Sequence, residues 1–516
     1  MKKTAVLHPF LFAIYPVLTL LAFNINQTSW SQAIRAFTFS LTAALVLILF
    51  WYLLTRSWQK AGLLTTMALL LFYAYGHVVR LLNEQLSETN LLNLNLYLTA
   101  VWATILIFGS WFIWRVVKRD LIGITRFLNI VIGIALIFPL YTIIAQEISS
   151  PSDVQASNTI TGSNSSTANT LPDIYYIVSD AYTSDTVLSE IYHFDNTPFI
   201  QSLEDQGFYV ARGSHSNYSQ TLLSLPSTLN MTYLDDLQAQ VSPGSEDREP
   251  LEKFLRQSEL FTFLKEQGYQ TVSIASGYAP TELTNFDHFY AADSSLINAF
   301  EVMLIKDTWA GSLFSTSLAY ETKRRQNLFI FDTLQEVAAL PGPKFVFAHA
   351  TITHFPFVFG PNGERVDPGQ DYTMLDGISM SIDETVYSQR YAEQVAFTNQ
   401  LLQETVAHIL ATSETPPVII IQGDHGPELY FDYASLENTC VKERLSIFNA
   451  YYLPGIAEEL LYETITPVNS FRVVLNSYFD TDLELLEDRS YYATWNRPYD
   501  TVDVTDQVAI PCNTDQ

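Results

Sequence analysis

Two different hydrophobic patterns divide the chain. The N-terminal part contains five apolar stretches of roughly the length that spans a bilayer, and none of them carries an acidic residue. Soluble core helices would show polar faces, and these stretches have almost none. The pattern therefore predicts five membrane-spanning helices within residues 1–146, at 6–23, 36–54, 61–79, 96–114 and 128–145.

The pattern changes after the fifth stretch. Residues 147–171 are rich in Ser, Thr and Asn and have no apolar period, which predicts a flexible linker. From residue 172 onward, helical patterns alternate with short apolar runs, as in "NTPFIQSLEDQGFYV" and "LLQETVAHILATSETPPVIIIQGD". Helix, turn and buried strand in repeated order predict an α/β domain at 172–516, with a doubly wound and mostly parallel sheet.

The charge distribution supports two environments. The net charge is -27, but residues 1–146 carry ten basic and three acidic side chains, a net +7 that leaves -34 for the rest. An acidic domain of this size argues against nucleic acid as a partner. If the five stretches span the membrane, the basic residues between them divide unequally between its two sides. One side has only Arg35 and Arg80, and the other has Lys2, Lys3, Arg56, Lys60, Arg115, Lys118, Arg119 and Arg126.

Basic loops stay in the cytoplasm. With five spans, the chain after residue 146 therefore lies outside, which predicts a multi-pass protein of the plasma (inner) membrane with an extracytoplasmic acidic domain.

Candidate chemistry lies at the ends of three predicted strands. "YYIVSD" ends at Asp180, "FVFAHATITH" contains His349 and His354, and "VIIIQGDHG" contains Asp424 and His425. In doubly wound sheets the site lies beyond the carboxyl ends of the strands. Mixed carboxylate and imidazole ligands suit one divalent ion, with Zn or Mn ahead of Mg or Ca. Taken singly, each residue has a structural explanation as a turn, helix-cap or core residue.

A nucleophile candidate lies in "SNYSQTLLSLPSTLNM". Thr221 and Ser224 stand in a T-x-x-S-x-P arrangement before an apolar stretch that can continue as a helix. A hydroxyl at a helix N-terminus faces backbone N–H groups and the positive end of the helix dipole, which suits an attacked anion. The alternative is a helix N-cap without chemistry.

The ordered motifs resemble the alkaline phosphatase and sulfatase superfamily. Together with the membrane anchor, "DIYYIVSD", "QTLLSLPS", "HATITHFPF" and "IIIQGDHG" are most similar to the lipoteichoic acid synthase and phosphoethanolamine transferase branches. The resemblance implies a metal held by Asp180, Thr221, Asp424 and His425. It also implies that Thr221 is the nucleophile, that His354 binds substrate or protonates a leaving group, and that His349 is a second substrate-binding histidine.

Two departures from these families limit the resemblance. Sulfatases that form formylglycine carry an arginine after C/S-x-P-S, whereas Thr228 stands at that place after Ser224 and Pro226. The phosphoethanolamine transferases have several disulfides, whereas Cys440 and Cys512 are the only cysteines here. In an exported domain these two cysteines form a disulfide or remain free thiols. Residues 282–340 match no motif.

The resemblance implies a metal-dependent transferase that moves a phospho-alcohol headgroup, such as phosphoglycerol or phosphoethanolamine, from a lipid to a cell-envelope acceptor. The expected partner is a phospholipid or another anionic ester. Two alternatives stay open: a hydrolase of phosphate or sulfate esters with the same metal site, and a membrane-anchored binding module without catalysis.

Overall fold

The computed structural model describes most of the chain. The described residues are 4–25, 30–85, 91–117, 120–149, 171–242, 244–292, 298–312, 317–366, 383–456 and 460–512. They form two compact units. The first contains the described residues up to 149 and those from 298 to 319, and the second contains 171–292 and the residues from 320 onward.

Apolar helices build the first unit. Its N-terminal helices, here called the membrane bundle, are α1 (His8–Phe23), α2 (Trp30–Thr55), α3 (Trp58–Gln85), α4 (Leu91–Trp111), α5 (Ile122–Ala135) and α6 (Ile137–Ser149), with a π-helical turn at Phe112–Val116. A helix satisfies its backbone hydrogen bonds internally, which is the condition for crossing a bilayer.

Several bundle helices have the length and surface of membrane spans. Among the described residues, four segments are long and apolar enough to cross a bilayer, and α1 is a shorter apolar helix. Phe39, Phe108 and Ile130 expose 75%, 67% and 61% of their surface, which fits contact with lipid. The predicted N-terminal bundle is confirmed, whereas the number of crossings stays a prediction. The four segments are Gln32–Thr55, Trp58–Val79, Asn95–Val116 and Ile122–Ala145.

A mixed sheet forms the centre of the second unit. Its order in the described chain is β2-β7-β6-β1-β5-β3-β4. The strands are β1 (Ile174–Ser179), β2 (Tyr209–Val210), β3 (Gln270–Ile274), β4 (His288–Tyr290), β5 (Lys344–Ala350), β6 (Val418–Gln422) and β7 (Asn449–Tyr452). The β4, β3, β5, β1 and β6 pairings are parallel, and β7 is antiparallel to both of its neighbours. The predicted mostly parallel α/β sheet is confirmed.

Helices cover the sheet, and a short antiparallel ribbon follows near the end of the chain. The ribbon consists of β8 (Tyr491–Tyr492) and β9 (Val502–Asp503). The remaining α-helices of the described chain are α7 (Asp185–Glu190), α8 (Thr197–Glu204), α9 (Thr221–Asn230), α10 (Asp235–Gln240), α11 (Glu249–Arg256), α12 (Glu259–Glu266), α13 (Ala299–Lys306), α14 (Ser317–Ala338), α15 (Glu384–Thr412), α16 (Val441–Leu445) and α17 (Pro467–Tyr478).

Both faces of the sheet are buried, as the continuous apolar strands require. Side chains of a strand alternate between faces. Tyr175 and Ile177 of β1 therefore join a core cluster with residues of α7, α8, α14 and α15. Tyr176 and Val178 join a second cluster with residues of α9, α12 and α17. The helices thus lie on two faces, which is the doubly wound arrangement.

The register of the parallel strands brings their polar ends together. Val178 of β1 pairs with His349 of β5 on one side and with Gln422 of β6 on the other. Asp180 and Asp424 each lie two residues beyond this level of the sheet. The same edge therefore carries all three motifs that the sequence places at strand ends.

The two cysteines are joined. Cys440 and Cys512 form a disulfide with a Cα–Cα distance of 5.2 Å across 72 residues of sequence. Cys440 directly precedes α16, so the bond fastens the C-terminal tail to this helix. Of the two possibilities that the sequence leaves open, the structure shows the disulfide.

Candidate active site

Two buried carboxylates and a histidine meet at the sheet edge. Side-chain atoms of Asp180, His349 and Asp424 all lie within 4.8 Å of one another, and each residue is buried. In the described structure Asp180 Oδ1, His349 Nε2 and Asp424 Oδ2 have no hydrogen-bond partner. Buried polar atoms that form no hydrogen bond are costly, so this group fits a bound divalent cation.

Backbone groups fix the orientation of Asp424. Its Oδ1 accepts hydrogen bonds from the N–H of Ala181 at 3.2 Å and from its own neighbour His425 at 3.0 Å. This leaves Oδ2 free toward the site. The tight turn after β6 requires Gly423, because a Cβ there would lie 2.3 Å from the carbonyl oxygen of Tyr182.

The imidazole of His425 is oriented by its own loop. Nδ1 donates to the carbonyl of Gly426 at 2.9 Å, and Arg444 donates to the same carbonyl at 3.0 Å. Because a carbonyl only accepts, Nδ1 carries the proton and Nε2 presents a lone pair. Burial, and then the charge of Arg444, lower the pKa of His425, so the ring is neutral as a metal ligand must be.

Thr221 lies directly against His425. It is the first residue of α9, after Gln220 in an extended conformation at the N-cap. Its Oγ1 is 3.1 Å from His425 Nε2, and its half-buried side chain remains accessible. The sequence pattern and the structure thus agree on a hydroxyl at a helix N-terminus.

The separations of these atoms fit a single small ion. In a tetrahedral zinc site with metal–ligand distances of about 2.0–2.2 Å, ligand atoms are about 3.3–3.6 Å apart. His425 Nε2 is 3.6 Å from Asp180 Oδ1, 3.5 Å from Asp424 Oδ2 and 3.1 Å from Thr221 Oγ1. His425 Nε2 therefore lies at or near ligand-to-ligand distance from the other three residues that the resemblance assigns to the metal.

The two carboxylates differ in their electrostatics. Burial by itself raises the pKa of Asp180, but the surrounding imidazoles, that of His354 foremost, hold the pKa below its usual range. Burial, and then the charge of Asp180, raise the pKa of Asp424 to about 6. A cation between them would relieve the repulsion that raises the pKa of Asp424.

The two predicted substrate-binding histidines occupy different places. The ring of His354 is half-buried and its centre is 6.3 Å from that of His425, at the edge of the site. His349 is fully buried; its Nε2 is 3.3 Å from Asp180 Oδ2, and its Nδ1 is 2.9 Å from the Thr281 hydroxyl. This position puts His349 among the candidate metal ligands, beside the carboxylates.

The structure distinguishes Thr221 from Ser224. Ser224 lies one turn inside α9 with 1% of its surface exposed, and its hydroxyl is 3.2 Å from that of Ser216. Ser216 in turn donates to the carbonyl of Asp424 at 2.5 Å. Ser224 therefore supports the loop that carries Asp424, while Thr221 faces the site.

Arg248 is a residue that the sequence pattern misses. Only 3% of its surface is exposed, and it donates to Gln220 Oε1 at 2.8 Å and to the carbonyl of Trp495 at 2.7 Å. Its guanidinium lies 4.0 Å from the centre of the Trp495 indole, and within the described residues it forms no ion pair. Burial lowers the pKa of Arg248. Its acidic sequence context, "SEDREP", resembles a solvated surface.

Glu428 is a second buried charge near the motif. It follows His425 by three residues and is 6% exposed. The hydroxyl of Tyr433 donates to its Oε2 at 2.6 Å, whereas Oε1 has no partner in the described structure. The sequence "GDHGPE" contains this residue but offers no reason to expect its burial.

Comparison with known proteins adds a family to this geometry. A sequence profile described as Sulfatase matches residues 172–471, more than half of the chain. The chain belongs to the sulfatase family. This sulfatase-family chain is an enzyme that acts on phosphate or sulfate esters, and the resemblance to the alkaline phosphatase and sulfatase superfamily is confirmed. No curated protein matches the chain.

Solved structures with similar folds have low sequence identity to it. The periplasmic domain of EcEptC from Escherichia coli is 13% identical and covers 66% of this chain and 95% of its own, with a TM-score of 0.45. The lipooligosaccharide phosphoethanolamine transferase EptA from Neisseria meningitidis is 12% identical over 93% of this chain and 96% of its own, with a TM-score of 0.41. A 2-O GAG sulfatase is 11% identical over 63% of this chain and 73% of its own, with a TM-score of 0.37.

Proposed function

We propose that this sulfatase-family enzyme transfers a phospho-alcohol headgroup, such as phosphoglycerol or phosphoethanolamine, from a lipid to a cell-envelope acceptor. The reaction runs through a phosphodiester on Thr221, on the outer face of the plasma membrane. The observation that carries the proposal is the position of Thr221. Its hydroxyl stands at the start of α9 within 3.1 Å of His425, beside buried carboxylates with free oxygens.

The metal completes this proposal. Asp180, Asp424, His425 and Thr221 would hold one divalent ion, Zn or Mn ahead of Mg or Ca. His349 is a further candidate ligand, because its side chain lies within 4.8 Å of both carboxylates. When bound, such an ion lowers the proton affinity of a neighbouring hydroxyl and draws charge from a phosphoryl oxygen.

The residues of the chain account for the remaining steps. Thr221 Oγ1 attacks the phosphorus, and its proton leaves to solvent on the half-exposed side of the residue. The bond to the lipid alcohol breaks, and His354 protonates the departing oxygen. An acceptor hydroxyl then gives its proton to His354 and attacks the same phosphorus. The bond between phosphorus and Thr221 Oγ1 breaks, and this oxygen takes a proton back from solvent. Arg248 is the buried cation that would attract the anionic ester.

A lipid donor follows from the membrane anchor. A domain that is tethered to a bilayer meets lipid headgroups at a high effective concentration. Hydrolysis is the second candidate, because the family profile is that of sulfatases and water can replace the acceptor. Formylglycine chemistry is disfavoured, since Ser224 is buried and Thr228 stands where the arginine is required.

The test is intact mass spectrometry of the full-length protein, loaded with zinc and incubated with phospholipid vesicles. We expect an adduct with the mass of a phospho-alcohol on the wild type, no adduct on Thr221→Ala, and an adduct on Ser224→Ala as the matched control. A wild type that stays unmodified but cleaves an aryl sulfate would exclude the transferase and support the hydrolase.

A further inference from the structure

Residues 298–312, here called the docking segment, interrupt the catalytic sequence but fold with the membrane bundle. The segment contains α13 and a 3-10 helix at Trp309–Ser312. It belongs to the first compact unit, although the catalytic domain continues on both sides of it in sequence. No motif in this part of the sequence indicated such a return.

Apolar burial holds one end of the docking segment. Phe300 is fully buried, and Met303 and Leu304 of α13 pack at the edge of the same cluster. The other buried members of this cluster come from the membrane bundle and the turn between α5 and α6: Val17, Leu18, Leu21, Ala22, Ala33, Ala36, Leu136 and Ile143. Full burial of a phenylalanine side chain removes a large apolar surface from water, so this contact favours docking.

A charged pair fixes the orientation of the docking segment. Arg35 of α2 donates from Nε to Glu301 Oε1 at 2.5 Å and from a terminal nitrogen to the other carboxylate oxygen, which makes a bidentate pair. Asn298 caps α13 and also donates to the carbonyl of Gln32 at 3.0 Å. Arg35 is one of the two basic residues that the sequence places on the outer side, where the exported chain would meet it.

The far end of the docking segment reaches two other bundle helices. The N–H of Gly76 in α3 donates to the carbonyl of Asp307 at 3.1 Å, outside the regular helix pattern. A Cβ at Gly76 would lie 2.6 Å from Asp307 Cα, so glycine permits this approach. Trp309 Nε1 donates to Thr99 of α4 at 3.4 Å. The segment therefore contacts the bundle along its length.

We infer that the docking segment is a second, noncovalent attachment of the catalytic domain to the membrane bundle, besides the covalent linker. The chain between Tyr290 of β4 and Asn298 can extend at most about 30 Å at roughly 3.3–3.6 Å per residue. The docked segment thus joins the domain to the bundle through a stretch of chain that is shorter than the linker. The inference holds whichever ester the enzyme uses.

Cleavage of the linker tests this inference directly. A site-specific protease sequence is placed between residues 155 and 168 of the full-length protein in membrane vesicles. After cleavage and sedimentation at physiological salt, we expect the wild-type catalytic fragment to remain with the membranes. Glu301→Arg should release most of it, and the swap Arg35→Glu with Glu301→Arg should restore retention. Asp195→Arg, a reversal at an exposed carboxylate, is the matched control and should stay bound.

Two results would overturn the inference. One is release of the wild-type fragment after cleavage. The other is full retention of the Phe300→Asp, Glu301→Arg variant, because the fragment would then be held by different contacts. Circular dichroism and the zinc content of each fragment verify folding. The measurement is independent of activity, so a failure of the proposed transferase reaction would leave it unaffected.

Discussion

Arg248 is a buried guanidinium that hydrogen-bonds the side chain of Gln220, the residue before Thr221. Removing a guanidinium from water costs several kcal/mol, and the described chain offers it amide and carbonyl oxygens but no carboxylate. Its bond to Gln220 connects it to the residue that precedes Thr221. An anionic substrate oxygen is the partner that would compensate this charge.

This role predicts a binding defect on substitution. Arg248→Gln should raise KM for the ester about 10- to 100-fold, equivalent to about 1.5–3 kcal/mol for a hydrogen bond to a charged group. Zinc content should stay unchanged, and Arg248→Lys should recover part of the loss. The exposed Arg325→Gln serves as the control. Steady-state kinetics with unchanged KM in Arg248→Gln would remove this residue from the substrate site.

The raised pKa of Asp424 predicts how metal binding depends on pH. Burial and the charge of Asp180 raise this pKa to about 6, so the carboxyl holds its proton in more acidic solution. A metal must displace that proton. Zinc affinity should therefore fall about tenfold per pH unit below about 6 and lose this dependence above it.

Calorimetric titration with zinc between pH 5 and 7.5 measures this dependence. Asp424→Asn should bind zinc weakly and show a flatter profile, whereas Glu428→Gln should keep the wild-type profile. An affinity that is constant across pH 5 to 6 in the wild type would contradict the prediction.

At the scale of elements, the disulfide links the C-terminal segment to α16, the short helix that supports the His425 loop. It joins Cys512, which follows β9, to Cys440 at the start of α16. That short helix carries Arg444, whose guanidinium holds the Gly426 carbonyl. A crosslink across 72 residues restricts the unfolded chain strongly.

Loss of this disulfide should therefore lower stability. Loop entropy gives about 4 kcal/mol for a closed loop of this length, and native disulfides typically contribute about 2–4 kcal/mol. We expect Cys512→Ser and Cys440→Ser to lower Tm equally, and the double variant to be no less stable than either. Thermal unfolding in detergent measures this. A Tm equal to that of the wild type in all three would show that the bond adds no stability.

At the scale of the whole molecule, the positions of basic residues predict the topology. An odd number of crossings places the N-terminus inside and residue 171 onward outside. The helix His8–Phe23 decides the count, because it is shorter than the four candidate spans. With four crossings, the N-terminus and the catalytic domain would lie on the same side.

Reporter fusions to the full chain decide between these counts. A fluorescent protein that folds only in the cytoplasm should be bright at the N-terminus and dark at the C-terminus. A periplasmic alkaline phosphatase fusion should give the reverse pattern. Fusions within the loop at Ser57, between α2 and α3, provide the cytoplasmic control. Dark N-terminal fusions with a bright loop control would show that α1 does not cross.

Local sequence patterns were sufficient to predict the helical bundle and the fold class of the second unit. Apolar stretches without acids predicted the bundle, and alternating helix and strand patterns predicted the doubly wound sheet, because both periods follow from backbone geometry alone. The sequence also placed Asp180 and Asp424 at strand ends. Parallel strands end at one edge, so the approximate place of the site followed from the fold class.

Tertiary structure decided what depends on contacts between distant residues. Strand register and loop conformation set His349 beside Asp180 and turned His425 toward Thr221, and no local period contains that information. Arg248 stands in an acidic stretch, and its burial depends on tertiary contacts with Gln220 and Trp495. The docking segment has an ordinary helical pattern, and its partner Arg35 lies 266 residues away. Residue spacing determines elements, whereas long-range packing decides which charges are buried together.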